Sequence, residues 1–264
     1  MRDDFDAPRI ERDLRARDVS FGVPLCWMEV TESTNDDAKQ AARAGIPGGA
    51  AFVADQQTKG RGRLGRTWFS PPGENLYASF VVRPALDPKR APLVTLAAGL
   101  AVIDALRECA GTVSLALKWP NDVWLDGRKV CGILCEAQLG DGAGWIVVGI
   151  GINVHGLAFP DELRGRATSL ALAGRDVDRG ALFAALCSSL AHRVGVLREG
   201  NEAAIVGDAS ALDALVGREV RIDGVAATAL GIATNGGLRV RRPDGVEATC
   251  MAGEVQLSLP ADSL

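Results

Sequence analysis

Residues 55–70, DQQTKGRGRLGRTWFS, lie between two apolar runs and cannot themselves be a helix or a strand. Gly60, Gly62 and Gly65 alternate with Arg61, Arg63 and Arg66, and Trp68 closes the run. Glycine loses more backbone freedom on ordering than any other residue, so this stretch is a loop that its neighbours must hold. AFVAD at 51–55 reads as a buried strand fixing one root, and NLYASFVVR at 75–83 as a strand fixing the other. Such a loop turns backbone N–H groups and guanidinium forks toward an anion. The same letters also suit a solvated turn or an RNA-binding segment. The formal net charge of -4 speaks against a general nucleic-acid surface and for one particular small anion.

With 264 residues, 47% hydrophobic and 23% charged, the chain can bury a large core, as one domain or as one plus a small module. No unbroken run of 18 apolar residues occurs, so no membrane partner is expected. The start, MRDDFDAPRIERDLRARD, is charged where a signal peptide is apolar, and a cytoplasmic location is expected. Cys26, Cys109, Cys131, Cys135, Cys187 and Cys250 are scattered among apolar residues and read as free thiols. With only His155 and His192 beside them, a zinc site is not expected.

In chain order, a short amphipathic helix is expected around 10–17, then a strand at 26–30 and Ser33-Thr34-Asn35 at a helix start. Ser33 or Thr34 suits the N-cap, with Asp36 and Asp37 in the first turn. The same hydroxyls and amide could serve a polar ligand, and nothing local decides between the two roles. Residues 92–109 form an apolar, buried helix. Strand fragments at 115–117 and 123–125 flank Pro120, and Asp126-Gly127 turns into a strand at 129–138. Strict alternation there puts Lys129, Cys131, Ile133 and Cys135 on one face. Lysine is seldom buried unpaired, so Lys129 either snorkels at the strand end or reaches an anion within the fold. WIVVGIGINV at 145–154 is a buried strand with Asn153 near its exit, and helices follow at 178–198 and from Glu202. From Val216, four short strand texts separated by Asp223-Gly224, Asn235-Gly236 and Asp244-Gly245 predict a small β module leaning on the main body. The expected domains are 1–214 and 215–264.

Taken together in this order, STN, QTKGRGRLGRTW, KWPNDV, GRKVCGIL, GIGIN and a C-terminal AGEVQL resemble biotin–protein ligases from about Cys26 onward. The resemblance implies an α/β (α+β) fold with a mixed central sheet flanked by helices, related to class II aminoacyl-tRNA synthetases, plus a C-terminal SH3-like barrel. The short leader looks like the ligase-only form, without an N-terminal helix-turn-helix. The implied reaction joins biotin to ATP, with Mg²⁺, as biotinyl-5′-AMP, then passes biotin to a lysine of a biotin carboxyl carrier protein of acetyl-CoA or pyruvate carboxylase. The reactive intermediate calls for a loop that closes over it. Ser33, Thr34, Asn35, Gln57, Arg61, Gly62, Arg63 and Lys129 match the biotin side. Arg63, Arg66, Trp68, Asn121, Asp122 and Asn153 match the ATP side. Lys129, Arg63 and Arg61 are the candidates for catalysis, with metal ligands unassigned and Lys118 in the same motif. Lys59 departs from the small residue common before the first loop glycine. A lipoate–protein ligase and a non-catalytic biotin- or nucleotide-binding regulator are the alternatives, and monomer or homodimer is left open.

Overall fold

The computed structural model describes residues 5–83, 90–138 and 144–257. The outermost N-terminal and C-terminal letters read above, 1–4 and 258–264, lie outside the described residues. Helix α1 (Ala7–Ala16) buries Ile10 and Leu14 on the body. Strand β1 (Leu25–Thr31), helix α2 (Thr34–Arg43) and strand β2 (Ala51–Gln57) precede the glycine–arginine loop, and β3 (Leu76–Val82) follows it. After them come α3 (Ala91–Ala110), β4 (Leu115–Lys118), β5 (Asp122–Leu125), β6 (Arg128–Gln138) and β7 (Trp145–Ile152). Helices α4 (Arg179–Arg198) and α5 (Glu202–Ala211) complete this part.

The seven strands form one mixed sheet in the order β1-β2-β3-β7-β6-β5-β4, with β1 and β2 parallel and the other neighbours antiparallel. Its period-2 alternation sorts side chains between two faces. Ala78 and Phe80 of β3, Cys131 and Ile133 of β6, and Val148, Ile150 and Ile152 of β7 enter the main core with α3 and α4. Phe183 of α4 stacks on Phe80 at 5.8 Å. By length and mean hydropathy α4 could cross a membrane, but Leu182, Phe183, Leu186, Leu190 and Val194 are buried within the protein. On the opposite face, Ala38 and Ala42 of α2 pack with Phe52, Val81, Trp145 and Val147. α2 covers only part of that face, and the rest carries the candidate site.

The C-terminal sheet has five strands, β8 (Glu219–Ile222), β9 (Val225–Ile232), β10 (Leu238–Arg241), β11 (Glu247–Cys250) and β12 (Val255–Leu257), ordered β11-β10-β9-β8-β12. The last of the four predicted strand texts thus holds two strands. Asp223 and Gly224 both have positive φ (48° and 84°), the conformation a two-residue hairpin turn requires. Val220, Ala229, Leu238 and Val240 join the same core as the large sheet. Trp119 also donates through Nε1 to the Gly236 carbonyl at 3.0 Å. The small module therefore leans on the body through apolar burial and a buried hydrogen bond.

Candidate active site

Glycines open the uncovered part of the sheet face. A Cβ at Gly151 would lie 2.5 Å from Trp68 Nε1, one at Gly132 would lie 2.7 Å from the same ring, and one at Gly149 would collide with Asn35 Oδ1. The indole of Trp68 lies on this glycine shelf, and its buried Nε1–H has no hydrogen-bond partner among the described residues.

Lys129 reaches the shelf through a β-bulge. β5 pairs Val123 with Cys131 but Trp124 with Lys129, so Val130 is the extra residue. Strict alternation placed Lys129 with Cys131, Ile133 and Cys135. The bulge instead sends Val130 and Cys131 into the core and turns Lys129 to the opposite face, beside Gly132. There Lys129 Nζ lies 2.7 Å from Asp122 Oδ1 and 5.2 Å from the Trp68 ring centroid. Asp122 also lies 3.8 Å from Lys118. Burial, with the charges of Lys129 and Arg166 adding to it, pushes the Lys118 ammonium down against the opposing pull of Asp122.

The helix start and the loop close the other side. Ser33 occupies the N-cap of α2, yet its hydroxyl makes no capping bond. Gln57 substitutes for it, its Oε1 accepting from Thr34 N at 3.0 Å and Thr34 Oγ1 at 3.1 Å, while its Nε2 donates to Ser70. Ser79, which sequence reading did not single out, donates its one hydroxyl proton to Asn35 Oδ1 at 2.6 Å, and its Oγ lies 2.8 Å from Thr34 Oγ1. At the loop's root, Asp55 accepts from the buried Arg179 at 2.9 Å.

The loop arginines do three different things. Arg61 pairs with Glu136 and Asp36 at 2.7 and 2.9 Å. Arg63 donates to the neutral Asn121 Oδ1 at 3.1 Å and has no carboxylate within ion-pair distance among the described residues. Burial pushes its guanidinium down, countered by the fields of Asp122 and Asp223. Arg66 pairs with Glu254 of the C-terminal sheet. Gly62 holds the loop's turn by donating its N–H to the Arg66 carbonyl at 2.7 Å. The structure thus gathers Asn35, Arg63, Trp68, Asp122 and Lys129 around one glycine-floored face, with Asn121 behind Arg63. Asn153 is buried on the 168–170 segment, donating to the Thr168 carbonyl at 2.9 Å.

Such an arrangement offers a flat apolar floor, an aromatic plate and two cations that are incompletely neutralised. It suits an acid whose carboxylate must meet a second anion. Residues 27–153 match the Biotin/lipoate A/B protein ligase family. The bifunctional ligase/repressor BirA of Bacillus subtilis is 40% identical over 167 residues, 62% of this chain, and the chain spans about half of that relative's length (51%). The biotin--[acetyl-CoA-carboxylase] ligase of Mycobacterium tuberculosis is 34% identical over 231 residues, covering 84% of each chain. Among solved structures, the biotin protein ligase from Aquifex aeolicus in complex with biotin and ATP superposes with a TM-score of 0.74 at 32% identity, over 88% of this chain and 97% of that one. On this similarity across most of both chains, and on the sheet that carries it, the chain belongs to the biotin/lipoate A/B protein ligase family.

Proposed function

We propose that this chain activates biotin with ATP to biotinyl-5′-AMP and pyrophosphate, then transfers biotin to a lysine amine of a biotin carboxyl carrier domain, such as that of acetyl-CoA carboxylase. The observation that carries this reading is the placement of Lys129 and Arg63 around the Gly132/Gly151 shelf under Trp68. Two unit negative charges at ~4 Å repel by about 4 kcal/mol at an effective dielectric near 20. Lys129 and Arg63 supply the opposing charge where the biotin carboxylate meets the α-phosphate, and fixed electrostatics of this kind dominate such transfers. Magnesium enters as part of the MgATP substrate, held mainly by phosphate oxygens and water.

Biotin lies beside the Trp68-covered shelf in this reading. Ser33, Thr34, Asn35 and Gln57 are near its polar ring, and Arg61, Gly62, Arg63 and Lys129 are near its carboxylate. Arg66, Trp68, Asn121 and Asp122 lie toward the nucleotide, and the buried Asn153 supports that side through the 168–170 segment. Carboxylate oxygen attacks the α-phosphorus as pyrophosphate leaves; the carrier's neutral amine then attacks the acyl carbon, AMP leaves, and the amine proton passes to solvent. The two sheets act as two domains meeting near residue 214, the second SH3-like, and the chain works in the cytoplasm without nucleic acid or membrane. The deciding assay is pyrophosphate release requiring biotin, ATP and Mg²⁺ together, with lipoate as competitor. Release on biotin and not on lipoate is expected. Release on lipoate alone would reassign the acid, and no release on either would leave a binding protein.

A further inference from the structure

The carboxylate of Glu136 joins three segments that lie far apart in the chain. On β6 it shares the ligand-side face with Gly132, two alternations away. It accepts from Asn35 Nδ2 at 2.9 Å, from Lys39 Nζ at 2.9 Å and from Arg61 Nη2 at 2.7 Å. Asp36 closes the ring, pairing with Lys39 at 2.8 Å and Arg61 at 2.9 Å. Two carboxylates and two cations cancel, so this cluster is an anchor and not a spare anion site. Arg63, one glycine further on, has no such carboxylate among the described residues and keeps its charge for a ligand. The amide of Asn35 is oriented from both ends, Ser79 donating to its Oδ1 while its Nδ2 donates to Glu136 and to the Leu134 carbonyl at 3.3 Å. Side-chain exposures of 15% for Lys39 and 27% for Glu136 make these ties less screened than surface pairs.

We propose that Glu136 is a positioning residue for the acid-binding half of the site, acting through Asn35 and Arg61. It holds the start of α2 and the first loop arginine against β6 at the edge of the glycine shelf. Removing its charge leaves Arg61 with only the more exposed Asp36 and frees the Asn35 amide to rotate. The nucleotide side, built on Arg66, Trp68, Asn121 and Asp122, has no residue in this cluster.

This inference rests on the biotin-adenylation reading, and the test separates the two. Pyrophosphate release by the full chain is measured with biotin and ATP varied independently. The isosteric Glu136→Gln is expected to raise KM for biotin about tenfold, the size of one charged hydrogen bond, with KM for ATP and kcat within twofold. Glu136→Asp, which keeps the charge, is expected to recover part of the loss. Added to Arg61→Gln, Glu136→Gln should cost less than a further twofold, because both cut one tie. Equal losses in KM for biotin, KM for ATP and kcat would reduce Glu136 to a structural role, and so would fully multiplicative losses in the double variant. Wild-type constants in Glu136→Gln would overturn the proposal outright. A wild-type chain that releases no pyrophosphate on biotin would instead sink the ligase reading, and this proposal with it. If Glu136→Gln does not fold, Lys39→Met carries the same comparison.

Discussion

The two ends of β7 face the same side of the same sheet and have opposite fates. Trp145 and Val147 are buried under α2 with Ala38, Ala42, Phe52 and Val81. Two alternations on, Gly149 and Gly151 present no side chain, and Asn35 and Trp68 lie where one would be. A buried valine contributes roughly 1.5–3 kcal/mol by leaving water. A glycine in a strand gives that up and also weakens the strand. The chain thus forgoes core at one end to leave a floor at the other, and Lys129 stands over that floor. A site here is a place where the packing rule is suspended while the backbone ladder continues.

Removing a cation over the floor should have the largest effect. Lys129→Ala or Arg63→Ala is expected to slow biotin-dependent pyrophosphate release by about 10²–10³-fold, the scale of losing one preorganised charge donor, with an unchanged circular dichroism spectrum. Activity near wild type in both would disconnect the floor from the chemistry. Next is filling the floor itself. Gly151→Val should displace Trp68 and raise KM for biotin at least tenfold, whereas Val147→Ala should lower stability by about 2 kcal/mol and leave KM alone. If both variants changed only stability, the two ends of β7 would be equivalent and the contrast would fail.

Acid offers a smaller test. Burial raises the Glu136 carboxyl, but hydrogen bonds from Asn35 and Lys39 and the charge of Arg61 outweigh it and hold the group below its ordinary 4.5. A depressed carboxyl contributes stability above its unfolded pKa and loses it as pH falls through the folded one. Wild-type Tm should therefore drop more steeply than that of Glu136→Gln once pH passes below about 4.5, and parallel curves would refute the tie. Smallest of all, Glu254→Gln cuts the Arg66 contact to the C-terminal sheet. An exposed pair is worth at most about 1 kcal/mol, so a change in turnover of less than threefold is expected; a larger loss would make that sheet part of the site.

Much of this was readable from the letters. Alternation and apolar runs located α3, β3 and β7 to within a few residues, and Asp126-Gly127 and Asp223-Gly224 sit at the turns their φ values require. Glycine density puts the loop at 55–70, but Asp55, Gln56 and Gln57 extend β2, with Gln56 and Gln57 pairing with β1, and residues 63–65 make a short 3-10 turn. The loop is therefore 58–70, and the C-terminal change of texture is a separate sheet. GIGIN was legible as a motif, though not as a floor, because a glycine's value there depends on which residue lies above it. Ser33 illustrates the limit of local rules: it holds the N-cap position, but a glutamine 23 residues from Thr34 does the capping. Glu136 carried no local signal, since its partner Asn35 is 101 residues away.

By itself the sequence determined which stretches are strands, helices and turns, because side-chain periodicity and glycine's backbone freedom act over a few residues. It also determined the stock of cations and their order along the loop. Only the tertiary structure decided which way each one points. Lys129 faces the shelf because pairing with β5 absorbs Val130 as an extra residue, and Arg61 and Arg63 part company because Glu136 and Asn121 arrive from other strands. Register and bulges are set by cross-strand ladders between distant segments, so a one-residue shift fixed elsewhere in the sheet turns a side chain from core to ligand.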